Sequence, residues 1–463
     1  MKFTKKVIFV EPRGAQSNVF DKYMAIPLLG PVYLATIAKK AGYDVQVINE
    51  NILRRKINMF ELRSADILCL SCITTTVNRG KDIAKRYKRL RPDGKTIIGG
   101  IHASMISEDV VNDFDQVFVG EAENNILDVL SGKTKDKIIY GKKVEMKDVP
   151  IPDFRLVKNW KKIKIWPVMT SRGCPFDCTF CSVTEMFGRN YRMQSIDRVM
   201  KEITRYKRGR IFFVDDHFAA NQKRTNELMD EMIKSKFNRY WSAQVRTEAS
   251  KDEKFVAKMR KAGCTIVYIG LESINPNSLK EMNKKQSVED IKRSIKVFKN
   301  NGISVHGMFI LGSDTDTKRD FRATADFCKD VGLSYVQYSI LTPLPGTRTY
   351  AKLEKQGRLL HKKWDFYDGM HAVFKPMKMS AEELQHGFID CFSDFYTYTN
   401  GINDALNAVF DSTVILGKKL YKRAYFPSFH PALMRVAGKE ILKSWLKQNR
   451  FYFRYLSNRL SLK

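Results

Sequence analysis

The stretch Thr170-Ser171-Arg172-Gly173-Cys174-Pro175-Phe176-Asp177-Cys178-Thr179-Phe180-Cys181 decides how the rest of the chain is read. Three cysteines share one short loop, with three residues between the first pair and two between the second. Their thiolates can hold three corners of a cubane iron–sulfur cluster. The fourth iron then has no protein ligand and stays open to a small molecule, as the open position of a catalytic zinc does. The competing readings are a structural zinc loop and three buried thiols. Zinc calls for a fourth Cys or His close by, and the nearest downstream histidine is His217.

Working outward, residues 166–170 read as a strand that delivers the loop, and strand–helix units repeat beyond it. Residues 211–214 end in Asp215-Asp216-His217, and residues 240–246 carry Gln244 and Arg246. Residues 265–269 end in Gly270-Leu271-Glu272-Ser273, 305–310 in Leu311-Gly312, and 335–341 in Thr342-Pro343-Leu344-Pro345-Gly346-Thr347. Polar or glycine residues at strand ends are where an α/β barrel carries its chemistry. About six such units predict a partial barrel. Upstream, residues 6–11, 44–49, 67–71, 95–100 and 116–120 read as strands alternating with helices, one from Gly30 to a stop at Gly42 and a basic one over 81–91. That alternation predicts a parallel, doubly wound sheet, whose ligands sit at the carboxyl ends of its strands. A lysine-rich stretch containing Val149-Pro150-Ile151-Pro152-Asp153-Phe154 reads as an extended connector. The expected organisation is therefore α/β throughout: a Rossmann-like domain over 1–135, a linker over 136–165, a barrel over 166–375, and a helical region over 376–463.

The cysteine spacing, with Phe180 just before the third cysteine, resembles the signature of the radical S-adenosylmethionine (SAM) superfamily. The resemblance spans roughly residues 4 to 375. It implies a [4Fe-4S] cluster on Cys174, Cys178 and Cys181, with the open iron chelating SAM. An electron from the cluster then splits SAM into methionine and a 5′-deoxyadenosyl radical. Phe180 and the strand-end residues become candidates for holding SAM. Asp215 and Asp216 match the amine-binding strand end, where a carboxylate accepts charge-assisted bonds; one of the two could equally be a helix cap. Gln244 and Arg246 lie on the inward alternation, with Arg246 suited to the SAM carboxylate or to an ion pair inside the barrel. Glu272 and Ser273 match the ribose-binding strand end, and a cap is the alternative. Gly312 matches the glycine turn beside the adenine, where close backbone approach is needed. His306 reads equally as a core residue or a substrate contact, and the 342–347 loop as a wall of the substrate side or a plain connection.

The front end resembles the cobalamin-binding domain that precedes many radical-SAM barrels, through Gly30-Pro31-Val32-Tyr33-Leu34-Ala35, Gly99-Gly100-Ile101-His102 and Val119-Gly120-Glu121. The histidine-bearing motif Asp-x-His-x-x-Gly is missing, and no histidine precedes His102. Related proteins without it either bind cobalamin with no histidine ligand or bind none. His102 reads as a turn residue or as a corrin or substrate contact.

The chain of 463 residues has 81 Lys and Arg against 50 Asp and Glu, a net charge of +31. Such a balance favours nucleic acid, anionic lipid or an acidic substrate, unless the lysines merely solvate the surface. No apolar run is long enough to span a membrane, and the first residues do not read as a signal peptide. Five scattered cysteines (Cys69, Cys72, Cys264, Cys328, Cys391) fit a reducing compartment, hence a cytoplasmic expectation. From Asp411 onward about a dozen Lys and Arg face two acids, Asp411 and Glu440, and alternate with aromatics such as Tyr421, Tyr425, Phe426 and Trp445. That composition suits anionic membrane contact through 410–463 at the inner face, RNA less well, or a helical cap on the barrel. The expected function is a radical-SAM enzyme abstracting hydrogen from an unactivated carbon of a hydrophobic or lipid-like substrate. Cobalamin-dependent methyl transfer would follow where the corrin is bound, with a flavodoxin- or ferredoxin-like reductant as partner. Two alternatives are a tRNA-modifying methylthiotransferase-like enzyme and a non-catalytic iron–sulfur module. The first needs three further N-terminal cysteines where only Cys69 and Cys72 occur, and the second has no use for a SAM pocket.

Overall fold

The run Val7-Ile8-Phe9-Val10 is apolar on both faces, as a central parallel strand requires. It forms β1 (Lys6–Glu11), five of whose six residues are buried. The structure is a computed structural model that describes residues 5–14, 26–397 and 430–460. They fall into two compact units: residues 1–244, 343–357 and 361–368 in the first, and 245–342, 358–360 and 369–463 in the second.

In the first unit β1 pairs in parallel with β2 (Asp44–Asn49) on one side and β3 (Ile67–Ser71) on the other. With β4 (Lys95–Gly99), β5 (Gln116–Val119) and β6 (Ile138–Tyr140) the sheet runs β2-β1-β3-β4-β5-β6, parallel throughout. The helices Leu29–Lys40 and Val77–Leu90 connect strands of this sheet. Strand order reverses between β1 and β3, which opens a crevice at the carboxyl ends there. The stretch read as a linker is part of this core. It supplies β6, a parallel bridge from Val157 to Val47, and a bond from the Lys158 amide to the Val47 carbonyl (2.8 Å). Val144, Met146, Val149, Phe154 and Ile163 are buried in the cluster that holds Val7, Val32 and Val47. The abundant lysines hid this spacing of apolar residues.

The same unit continues into β7 (Ile165–Val168), a short antiparallel pair of β8 (Ser171–Arg172) with β9 (Arg192–Met193), then β10 (Arg210–Phe213) and β11 (Trp241–Val245). β10 is parallel to β7 and β11, with Phe213 opposite both Val168 and Ala243. The helix Ile196–Ile203 is capped by the Ser195 hydroxyl and the helix Gln222–Lys234 by the Asn221 side chain.

The second unit holds β12 (Cys264–Glu272), β13 (Ser304–Leu311) and β14 (Tyr335–Ile340), parallel, with the helices Val288–Asn300 and Lys318–Asp330 between them. Val305, Gly307, Phe309 and Leu311 are buried on β13, while Ser304, His306, Met308 and Ile310 on its other face are half-buried. The helix Ala381–Phe395 starts with a capping box of Ser380 and Glu383. Described parts of the basic tail form the helices His430–Gln448 and Arg450–Leu460. They dock within this unit: Asn449 accepts or donates at His371 (3.0 Å), Tyr452 donates to the Ala372 carbonyl (2.8 Å), and Arg435 lies 3.7 Å over the Phe395 ring. Tyr421, Tyr425 and Phe426 lie outside the described residues. Among those described, no helix is long and apolar enough to cross a membrane. The line between the units falls after Gln244, inside the 166–375 stretch, and not at the expected connector.

Candidate active site

The cysteine loop hangs from β7 and is fixed on three sides within the first unit. At its start, Thr170 donates to Asp215 through its amide and hydroxyl, both at 3.0 Å, and Ser171 donates through its hydroxyl. Arg224 braces the same point, donating to the Thr170 hydroxyl and the Gln194 carbonyl, each at 2.9 Å. Gly173 has φ +92°, and a Cβ there would stand 2.5 Å from the Asn190 carbonyl oxygen, so glycine is required. On the far side Arg348 donates to the Asp177 carboxylate (2.7 Å) and the Thr349 amide to the Thr179 carbonyl (3.1 Å). The Pro343–Gly357 segment thus holds the middle of the loop.

Cys174, Cys178 and Cys181 are half-buried and outside any disulfide, and Phe180 beside them is half-buried too. Burial pushes the Cys181 thiol up to about 12, with Cys178 and Asp216 adding to the effect, followed by Cys174. Three thiols on one short loop are the donor set a three-cysteine cluster needs. Among the described residues no three such side chains close on a single ion; a cluster does not ask this of them, since each thiolate takes a different iron. The other five cysteines are buried, and burial pushes Cys69 and Cys72 up to about 12.

The two aspartates after β10 have different surroundings. Asp215 is 1% exposed, and its Oδ1 already accepts from Thr170 and Ser171. It is a strut under the loop. Asp216 is half-buried and accepts from the Gly173 amide at 3.2 Å. Burial, then repulsion by Asp215, raises it to about 6.

Arg172, the residue before Gly173, joins the loop to the first sheet. It is 5% exposed and donates to Glu121 and Glu123, each at 2.8 Å. Arg192 also donates to Glu121 (3.0 Å) and to the Val144 carbonyl (2.6 Å). Burial opposes ionisation of Glu121, but the bond from Arg192 and the charge of Arg172 prevail and hold its carboxyl below the usual range. This network was not read from the sequence. Nothing local in the sequence signals a pairing across 51 residues.

Beside this network lies a cavity of about 500 Å³. One wall is made by the carboxyl ends of the first sheet: Ser71-Cys72-Ile73, Gly99-Gly100 and Gly120-Glu121. The opposite wall comes from the cysteine-bearing segment: Met169, Arg172, Met186 and Phe187. Gly100 has φ +96°, and a Cβ there would lie 2.6 Å from the Cys72 carbonyl oxygen. A smooth, apolar, glycine-edged slot at the strand ends fits the flat face of a corrin. Among the described residues no histidine lines it. His102 is fully buried elsewhere, its Nε2 3.1 Å from Asp109 and its ring edge-on to Trp364. It is a structural residue of its turn.

In the second unit the remaining candidates form two small networks. Arg246 is buried, donates to the Lys284 carbonyl (2.5 Å) and pairs with Glu248 (3.2 Å). Glu272, at φ +60°, pairs with Lys284 at 2.7 Å. The Ser273 hydroxyl accepts from the Asn275 amide (3.0 Å), the cap reading of that residue. Gly312, at φ +96°, and Ser313 donate their amides to Asp316, both at 3.0 Å, making a tight turn after β13. Gln244, half-buried at the end of β11 in the first unit, accepts from the Phe218 amide (2.9 Å) through its carbonyl.

A doubly wound domain with a slot at its strand ends, followed by parallel strands and a three-cysteine loop, defines a class. Residues 168–328 match the radical SAM superfamily, and residues 23–130 match the B12 binding domain. The chain is a radical SAM enzyme of the subgroup that carries an N-terminal B12-binding domain. It is 28% identical over 411 residues to the bacteriochlorophyllide d C-12(1)-methyltransferase of Chlorobaculum tepidum, covering 85% of this chain and 88% of that one. It is 26% identical to the hopanoid C-2 methylase of Rhodopseudomonas palustris, covering 69% of this chain and 63% of that one. Among solved structures it is similar in fold to the cobalamin-dependent radical enzyme OxsB with aqua-cobalamin bound, with TM-score 0.68, 14% identity, and 97% and 81% of the two chains covered.

Proposed function

We propose that this enzyme is a cobalamin-dependent radical SAM methylase acting on a small, hydrophobic, lipid-like or porphyrin-like substrate. The observation that carries it is the shared cavity: the carboxyl ends of the B12-type sheet form one wall and the cysteine-bearing segment forms the other. When bound, the cluster and SAM supply a 5′-deoxyadenosyl radical that takes hydrogen from an unactivated carbon, and cobalamin supplies the methyl group. Cys174, Cys178 and Cys181 would hold the cluster. Asp216 is the better placed of its pair to take the SAM amine, because Asp215 is spent on Thr170 and Ser171. Phe180, Gln244, Arg246, Glu272 and Gly312 remain the proposed contacts of the rest of SAM. Gly99, Gly100 and Gly120 would admit the corrin face, and among the described residues no histidine lines the cavity. Methyl-transferring relatives on bacteriochlorophyllide and hopanoid support the substrate class.

The test is anaerobic. Protein reconstituted with iron and sulfide, given SAM and a strong reductant, should form 5′-deoxyadenosine, and Cys178→Ala should abolish it. Transfer of label from methyl-labelled SAM into an apolar extract, dependent on added cobalamin, completes the reading. Radical formation without cobalamin dependence would leave a radical enzyme but remove the methylase.

A further inference from the structure

A second, larger hollow of about 1280 Å³ lies in the first unit, away from the strand ends that carry the chemistry. It is lined near the amino end of β7, by Arg208 just before β10, and by the last residues of the helix Leu29–Lys40. Trp166 and Pro167 are neighbours on β7; alternation turns Pro167 to the cobalamin-type cavity and Trp166 to this groove. The two hollows therefore use opposite faces of one strand.

The groove has an apolar floor and a basic rim. Ile151, Pro152, Leu156, Ile163 and Trp166 form the floor. Lys39, Lys40, Lys161, Arg205, Lys207 and Arg208 line it and are exposed. None of these six has a carboxylate within salt-bridge distance among the described residues. The one acid in the lining, Asp153, is already taken by Arg155 at 2.8 Å. The groove thus offers a net positive rim beside hydrocarbon, and its volume exceeds that of usual small-ligand pockets. Base stacking is a poor use of it, because Trp166 is already stacked on Tyr206 (4.8 Å, 2° between planes) with its edge toward Phe154. We propose that this groove is a binding site for one anionic phospholipid, its phosphate on the lysine–arginine rim and its acyl chain along the floor. A chain that acts on lipid-like molecules would then be held at the membrane surface that contains them, but the site stands without that reading of the substrate.

The probe is dioctanoyl phosphatidylglycerol below its micelle concentration, titrated into the full-length reconstituted protein by calorimetry. One saturable site is expected, weakened by salt. The triple variant Lys161→Glu/Lys207→Glu/Arg208→Glu should weaken it about tenfold or more. Leu156→Asn should also weaken it, and glycerol phosphate alone should bind far more weakly, since it lacks the chain. Unchanged iron content and 5′-deoxyadenosine formation in both variants show that the fold survives. Charge reversal at Lys418, Lys419, Lys422 and Arg423 should leave binding intact. The proposal is overturned by equal binding to the triple variant, by glycerol phosphate binding as tightly as the lipid, by loss of binding only on reversing the tail, or by an oligouridylate competing at equal affinity.

Discussion

The two hollows of the first unit use charge in opposite ways. At the carboxyl ends of the first sheet Arg172 is buried and shared between Glu121 and Glu123, while Arg192 also bonds to Glu121. In the groove Lys161, Lys207 and Arg208 stand exposed and unpaired. A paired, buried charge cannot attract a ligand, because its field is already cancelled and its solvation already lost. What it can do is fix the distance between two backbone segments. An unpaired, exposed charge fixes nothing and is free to recruit. One hollow is therefore built to hold geometry and the other to gather an anion.

The sharpest way to break the geometric half of this comparison is at Gly173. Gly173→Ala places a Cβ against the Asn190 carbonyl at a left-handed φ, costing on the order of 3 kcal/mol at the loop that carries the cysteines. Iron content after reconstitution should collapse while the first sheet remains folded by circular dichroism. Normal iron content would show that the loop is not held there. Next in size is Arg172→Met. It leaves Glu123 without its arginine and Glu121 with Arg192 and the Val144 amide, which should cost about 3 kcal/mol and lower corrin affinity more than iron content. Equal loss of both would make the arginine a general support and not a link between the two walls.

A smaller effect comes from His306, whose ring lies 5.0 Å from that of Tyr268 and 6.1 Å from that of Tyr335. Burial lowers its pKa to about 4, whereas the unfolded chain titrates near 6.5. Between those values the unfolded state binds more protons, so stability falls as pH drops through the window. At pH 5 the loss attributable to this ring is about 2 kcal/mol. His306→Gln should remove that part of the difference in urea stability between pH 7.5 and pH 5, and an unchanged difference would place the proton elsewhere. Smallest of all is Arg348→Ala. Its pair with Asp177 is half exposed, worth about 0–1 kcal/mol, so turnover should change little while hydrogen exchange at the Thr179 region rises.

Strand positions in both units were legible because each strand is a short apolar run closed by glycine or a polar residue. The cysteine loop was legible from spacing alone. The stretch 136–165 misled, because its lysines dominate composition while Val144, Val149, Phe154 and Val157 make the contacts. Asp215 and Asp216 are indistinguishable in sequence; only the tertiary positions of Thr170 and Ser171 separate a strut from an open carboxylate. The Arg172–Glu121 link was invisible for the same reason, since long-range pairing leaves no local pattern.

Corrin uptake tests the central claim most directly. Purified, cluster-loaded protein incubated with hydroxocobalamin and desalted should retain one corrin per chain. Gly100→Val, which pushes a branched side chain against the Cys72 carbonyl, should abolish retention while leaving the iron in place. Retention unaffected by that substitution, or no retention by the parent protein, would contradict the account.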